Sequence, residues 1–450
     1  MWSSRLAFVL AATGSAVGLG NIWRFPYMAS ENGGGAFVLL YLGCILLLGL
    51  PILMSEILLG RRGRRSPINT IREIAKESGA HRAWQIIGWS GVLAGLLILS
   101  FYSVIAGWTL AYVVTYVQAL VVPAESFGSP DQVFGNLVGS FSTLTFWHTV
   151  FMLMTLLVVS LGVEKGLERA VRFLMPTLFI LLVLLVGYGM STGYFGQALG
   201  FLFSADFSRI NADVVISAMG QAFFTLSLGM GSIMAYGAYL PADASVGRTG
   251  AMVAVSDTCV AIVAGLAVFP IVFANGLDPE GGGPGFIFTT LPHAFAAMDF
   301  GYLYAVAFFG LLSVAAWTSS ISLMEPIVAY MVESWNLTRR MAAWLIGGLA
   351  WLLGLGTALS FNYWSEFKFL GRTFQGAVEY LASNVMLPFG GLLIAVFAGW
   401  ILPRAIAREE ASNLSDWQFW TWRVLVRYVT PVLVFIVLLS ASGAFDLLGL

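Results

Sequence analysis

The chain has 450 residues, 59% of them hydrophobic and only 10% charged, with a formal net charge of −1. A soluble domain of this length could not hide so much apolar surface inside itself, so the composition specifies a polytopic membrane protein whose medium is the lipid bilayer. No long basic run or tail points to a nucleic-acid partner. The two cysteines, Cys44 and Cys259, lie in apolar runs, support neither a disulfide framework nor a zinc cluster, and read as buried thiols.

Apolar runs long enough to cross a bilayer, about 20 residues each, fall at 6–27, 36–60, 86–120, 147–162, 168–190, 217–240, 250–275, 301–332, 339–359, 374–402 and 422–445. They are predicted as spans 1 to 11. Residues 6–27 lack a small-residue cleavage site followed by a polar start and run on into NGGGAF, so span 1 reads as retained rather than removed as a signal peptide. If the spans alternate, Arg5, the cluster Arg61, Arg62, Arg64 and Arg65, then Lys165, Arg169, Arg172, Arg248, Arg339, Arg340, Arg404 and Arg408 all fall on one side. The positive-inside rule makes that side cytoplasmic, with the amino terminus inside and the carboxy terminus outside. The opposite loops, 123–146, 191–216 and 276–299, are acidic and hold Arg209 as their one basic residue; Lys368 and Arg372 run against the pattern.

Span 1 carries GSAVGLGNIWRFP at 14–26, with three glycines, an asparagine and an arginine where lipid least tolerates unpaired backbone. A single small-xxx-small spacing signals no more than close helix packing. Span 6 repeats the irregularity as TLSLGMGS at 225–232, however, and two interrupted spans five apart, at matching positions of spans 1–5 and 6–10, point to an inverted-repeat transporter with its site at the midplane. Freed carbonyls there would hold a hard cation, and the amides at a half-helix start would attract a carboxylate. The expected fold is therefore all-α: one transporter domain over 1–450, a first repeat at 6–190, a second at 217–402, and one additional span at 422–445.

GSAVGLGNIWRFPY and ENGGGAF, then GQAFFTLSLGMG in span 6 and TSSISLMEP in span 8, closely resemble the neurotransmitter:sodium symporter family, whose bacterial amino-acid transporters share the LeuT fold. The likeness runs over essentially the whole chain. It implies two sodium sites built from oxygen donors, as a small hard cation requires. The first would use the carbonyl of Ala16, the side chain of Asn21, the carbonyl and hydroxyl of Thr225, and Asp257 in span 7, with the substrate carboxylate completing the shell. The second would use the carbonyls of Gly14, Val17 and Ala315 and the hydroxyls of Thr318 and Ser319. A carboxylate within a span costs about 2.5–3.5 kcal/mol on insertion scales and marks function by default. With Ala261 four residues after Asp257, the expectation is that Asp257 supplies the negative charge itself and that chloride is not required.

The same resemblance places the substrate. The Tyr102 hydroxyl and the amides around Leu19 and Gly20 would meet its carboxylate, and carbonyls of Phe224, Thr225 and Ser227 its amino group. Phe224, Ile98, Met230, Ser320 and Leu323 would line the side-chain pocket, although each apolar member alone also reads as ordinary core. Gly18 leaves room for an α-carboxylate, and flexible Met230 suits bulky hydrophobic side chains, aromatic ones included. Arg24 and Glu379 are expected to close the outer vestibule as an ion pair near Gln221, with Phe224 as a lid. Glu56 would accept hydrogen bonds from the unwound span 6, and Trp2, Tyr239 and Glu333 match inner gate positions.

The expected activity is thus sodium-coupled import of a neutral, hydrophobic L-amino acid by alternating access across a bacterial inner membrane. The runner-up is a GABA- or betaine-like osmolyte, and a passive channel follows. His81, His148 and His293 are scattered, no HExxH, GxSxG or Walker pattern accompanies them, and the serines of TSS lack a mid-span histidine or lysine, so enzyme chemistry is not expected. Nothing in the sequence specifies an oligomer.

Overall fold

A computed structural model describes residues 5–122, 128–241, 244–277, 287–369 and 371–441. Among the described residues nine helices are long and apolar enough to cross a membrane: Gly35–Gly63, Arg82–Ala119, Phe141–Ser160, Gly166–Ser191, Val246–Ala274, Gly301–Trp335, Arg339–Ser360, Phe374–Ile401 and Asp416–Ala441. These are spans 2–5 and 7–11. Spans 1 and 6 are the two that do not run through. Span 1 is helical over Arg5–Ala16, bends at Val17 and Gly18, and resumes through a π-helical turn, Gly20–Arg24, into Phe25–Glu31. Span 6 is helical over Ala212–Thr225 and again over Ser232–Gly237, with turns between.

Several ends lie outside the apolar runs because polar caps decide where a helix begins. Ser140 accepts from the Thr143 amide and starts span 4 six residues ahead of its apolar run. Ser245 does the same for span 7 through the Arg248 amide. Span 11 opens on the capping box of Ser415 and Gln418, in a polar first turn that hydropathy alone passes over. The acidic loops carry short helices of their own, Pro130–Gly139, Phe195–Phe203 and Thr290–Ala297. Cys44 is half-buried and Cys259 exposed, which corrects the expectation of buried thiols: both sit on helix faces turned outward, where lipid rather than protein supplies the apolar surroundings.

Span 8 lies along span 3, and spans 4 and 9 complete a four-helix group with them. The inner half of span 1 is held between spans 5, 7 and 8, while the inner half of span 6 packs on span 2. That last contact is very close. A Cβ on Gly60 of span 2 would lie 2.0 Å from the Met234 carbonyl oxygen and 3.1 Å from the Ala238 amide nitrogen. Both neighbours are backbone, so neither can swing aside, and overpacking of this kind typically costs 1–3 kcal/mol. Gly60→Ala is therefore expected to lower the thermal melting temperature of the purified protein, whereas Gly43→Ala, with nothing within 4 Å of its added carbon, is expected to leave it unchanged.

Candidate functional site

The two helix breaks meet around Asp257, which is fully buried (0% exposed) in the middle of span 7. Asn21, one turn past the first break, donates its Nδ2 to Asp257 Oδ1 at 2.7 Å, to the Asp257 carbonyl at 3.1 Å and to Thr225 Oγ1 at 2.9 Å. Thr225, the last helical residue before the second break, donates its hydroxyl to the two carboxylate oxygens at 3.2 and 3.1 Å, and Tyr41 donates to Oδ2 at 3.4 Å. Among the described residues no lysine, arginine or histidine forms an ion pair with this carboxylate. A buried negative charge balanced only by neutral donors is poorly compensated. The oxygens of Asp257 and Thr225 suit a hard cation, while Asn21 presents its amide nitrogen to them. Asn21 Oδ1 is held by the Gly18 amide at 3.0 Å, so the side chain also fixes the bend of span 1.

A second seam of oxygens joins spans 1 and 8. Ser319 donates its hydroxyl to the Val17 carbonyl at 3.2 Å, and Thr318 to the Ala315 carbonyl at 3.0 Å. A Cβ on Gly14 would meet Thr318 Cβ at 3.4 Å, which places Gly14 beside the same two turns. Gly14, Val17, Ala315, Thr318 and Ser319 are thus gathered at one crossing, made possible by the small residues on span 1.

Between the two clusters lies a cavity of about 20 Å³. Of the residues proposed for the substrate, Leu19, Gly20, Ile98, Tyr102, Phe224, Ser227, Met230 and Leu323 line it, together with Ala16, while Thr225 turns its hydroxyl towards Asp257 instead. The Leu19 amide donates to the Tyr102 hydroxyl at 3.4 Å, so an amide and a phenol converge on one spot. Gly18 faces that spot, and a Cβ there would fall 2.4 Å from Ser319 Oγ and 3.0 Å from the Tyr102 oxygen. Ser320 is placed differently from the expectation. It is buried against the neighbouring span, with its Oγ 2.8 Å from Thr155 Oγ1, because one further residue around the helix turns it about 100° from Ser319. Ser15, Ser319 and Ser322 take the polar places in the lining. On this measure about 10–15 Å³ accommodates one water molecule, so the walls are drawn in to little more than that.

Above it a larger cavity of about 300 Å³ shares Leu19, Tyr102 and Phe224 with the first, and these three side chains separate the two. Arg24 lies 4.5 Å over the Phe224 ring. Arg24 and Glu379 both line this outer cavity, but no ion pair joins them: Glu379 accepts from Gln375 Nε2 at 2.6 Å. Gln221 is also turned elsewhere, donating to the Gly20 carbonyl at 2.9 Å and so holding the unwound backbone rather than the gate.

Glu56 accepts from the Gly229 amide at 2.8 Å, inside the break of span 6. Gly229 has φ +79°, and a Cβ on it would lie 2.4 Å from the Leu387 carbonyl, so that position requires glycine twice over. On the inner side, Trp2 lies outside the described residues. Tyr239 donates to Glu325 Oε1 at 3.1 Å, and Glu325, fully buried, is ion-paired with Arg339, whose Nε also donates to the Val159 carbonyl at 2.9 Å. Glu333 lies near the end of the same span as Glu325. It accepts from the Ser66 amide at 2.8 Å, the Ser66 hydroxyl at 2.7 Å and Asn69 at 2.9 Å, anchoring the short helix Pro67–Glu77. Glu325 and Arg339 are the pair that the sequence reading passed over. The available signal was an acid within span 8, in the TSSISLMEP motif itself.

The model of the sodium:neurotransmitter symporter family matches residues 1–126 and 134–447. The sodium-dependent transporter YhdH of Bacillus subtilis is 37% identical over 451 residues, covering 98% of this chain and 97% of its own. A sodium-dependent transporter of Methanocaldococcus jannaschii is 30% identical, with 98% and 90% covered. The crystal structure of MhsT in complex with L-phenylalanine superposes with a TM-score of 0.89 at 42% identity, covering 98% of this chain and 99% of that one. The all-α architecture with two broken helices is thus of the LeuT type, and the chain belongs to the sodium:neurotransmitter symporter family, as a sodium-dependent, multi-pass membrane transporter.

Proposed function

We propose that this transporter imports a neutral, hydrophobic L-amino acid, aromatic ones included, together with two sodium ions. The observation that carries the reading is the buried Asp257, without a cationic side chain, set beside a cavity where the Leu19 amide and Tyr102 hydroxyl converge. Cation and substrate carboxylate would share one ligand shell, so each ligand's affinity depends on the other's presence. MhsT, which holds L-phenylalanine, supports an aromatic side chain in the Ile98, Phe224, Met230 and Leu323 part of the pocket.

In this reading the first sodium takes Ala16, Asn21, Thr225 and Asp257, and the second takes Gly14, Val17, Ala315, Thr318 and Ser319. The second ion ties span 1 to span 8 until the cytoplasmic side hydrates and releases it. Asp257 supplies the charge that a chloride would otherwise bring, and transport runs without chloride. Residues 6–190 and 217–402 act as the two repeats of alternating access in a bacterial inner membrane, with the amino terminus cytoplasmic and the carboxy terminus outside.

A thermal-shift screen of the twenty amino acids in sodium against potassium tests the substrate class. Hydrophobic L-amino acids should stabilise the protein in sodium only, by about 2.7 kcal/mol at a hundred times the dissociation constant; stabilisation by GABA or betaine instead would overturn the assignment. Asn21→Ala and Thr318→Val should each raise the sodium concentration for half-maximal uptake about tenfold, the equivalent of roughly 1.4 kcal/mol, and an unchanged sodium dependence counts against those ligands. Gly18→Ala should abolish amino-acid binding in a scintillation-proximity assay, since its methyl group meets Ser319 and Tyr102. Uptake in gluconate should equal that in chloride at constant sodium.

A further inference from the structure

A crevice of about 730 Å³ lies away from the transport pathway, between span 2, the start of span 7 and the start of span 11. Its walls change character along their length. Towards mid-membrane they are Leu46, Leu50 and Met54 of span 2, and Leu46 is 60% exposed, so this end opens sideways to lipid. Towards the cytoplasm they are Arg248, Asn413 and Gln418, with the exposed Trp417 at the mouth. At the back, Trp422 donates its indole N–H to the Pro51 carbonyl at 3.2 Å, which fixes span 11 against span 2.

The charges at the cytoplasmic end are unevenly satisfied. Glu410 is engaged by Arg61 and Arg62, and Asp416 by Arg408 at 2.7 Å. Arg61 also donates to the Ala244 carbonyl, next to the residue that caps span 7. Arg248 is exposed, lines the crevice and has no carboxylate within ion-pair distance among the described residues. Arg62 is also met by Glu77 and Glu409, so the other arginines at this end are balanced and Arg248 is the guanidinium left without a carboxylate partner among the described residues, on the face where the positive-inside pattern places the cytoplasmic leaflet.

We propose that this crevice holds one anionic phospholipid of the inner leaflet, its phosphate at Arg248, Asn413 and Gln418 and an acyl chain along Leu46, Leu50 and Met54. An apolar groove continuous with the bilayer, ending at headgroup level in a guanidinium with no carboxylate partner among the described residues, matches the two halves of such a lipid; a soluble anion would leave the apolar part empty. Each arginine near a membrane surface strengthens attraction to anionic lipid about fivefold. The bound lipid would join span 7, which carries Asp257, to span 11.

Native mass spectrometry of the full chain in neutral detergent, titrated with phosphatidylglycerol or with phosphatidylcholine of the same acyl chains, tests this. One phosphatidylglycerol should be retained in preference to phosphatidylcholine. Arg248→Gln should weaken it about fivefold, Arg248→Lys should largely restore it, and Arg340→Gln, an exposed cytoplasmic arginine elsewhere, should have no effect. Equal retention of the two lipids, or equal effects of Arg248→Gln and Arg340→Gln, would overturn the proposal. So would displacement of the lipid by glycerol phosphate alone, which would mark a soluble phosphate site. The readout is lipid binding, so the result stands apart from the choice of amino-acid substrate.

Discussion

The structure depends on how backbone that leaves helical geometry is satisfied inside a membrane, where water is not available to do it. Each break is met by buried side chains, most of them from another part of the fold. Ser227 donates to the Ser15 carbonyl at 3.0 Å, Ser319 to the Val17 carbonyl and Gln221 to the Gly20 carbonyl, while Asn21 and Glu56 accept from the amides of Gly18 and Gly229. An unsatisfied polar group in this setting costs several kcal/mol. The unwound segments therefore persist only as part of the assembled bundle.

That arrangement has an electrostatic consequence. The same side chains that repair the breaks bring Asp257, Asn21 and Thr225 into contact, so the buried carboxylate sits where the two segments cross. Neutral hydrogen bonds orient it without cancelling its charge. Through Gly18 the bend continues into the pocket that Tyr102 and Leu19 share, so a single turn of backbone lies between the carboxylate and the pocket.

The two sides of the bundle are held unequally. At one end Glu325, Arg339 and Tyr239 form a buried network, and Glu333 fastens the helix Pro67–Glu77. At the other end Arg24 and Glu379 face a cavity of about 300 Å³ without pairing, and Leu19, Tyr102 and Phe224 close it off from the small pocket. The first end is thus latched by a buried ion pair, and the second by packing, the Leu19–Tyr102 hydrogen bond and Arg24 over the Phe224 ring.

The sequence by itself determined the medium, the helices and the two breaks, because hydropathy, glycine placement and an acid in mid-span are local features that carry their physics with them. The resemblance of its motifs to a known family singled out Asn21, Thr225 and Asp257, which the fold brings into contact. The sequence did not decide partners. Ser320 and Ser319 are adjacent in the chain yet face different neighbours, Thr155 and the Val17 carbonyl, because a helix turns about 100° per residue. Glu333 and Glu325 are both acids late in span 8, and only the packing of Tyr239, Arg339 and Ser66 around them separates a network member from a helix anchor. Which oxygen meets which donor is a property of helices brought together from distant parts of the chain, and that was settled by the tertiary structure alone.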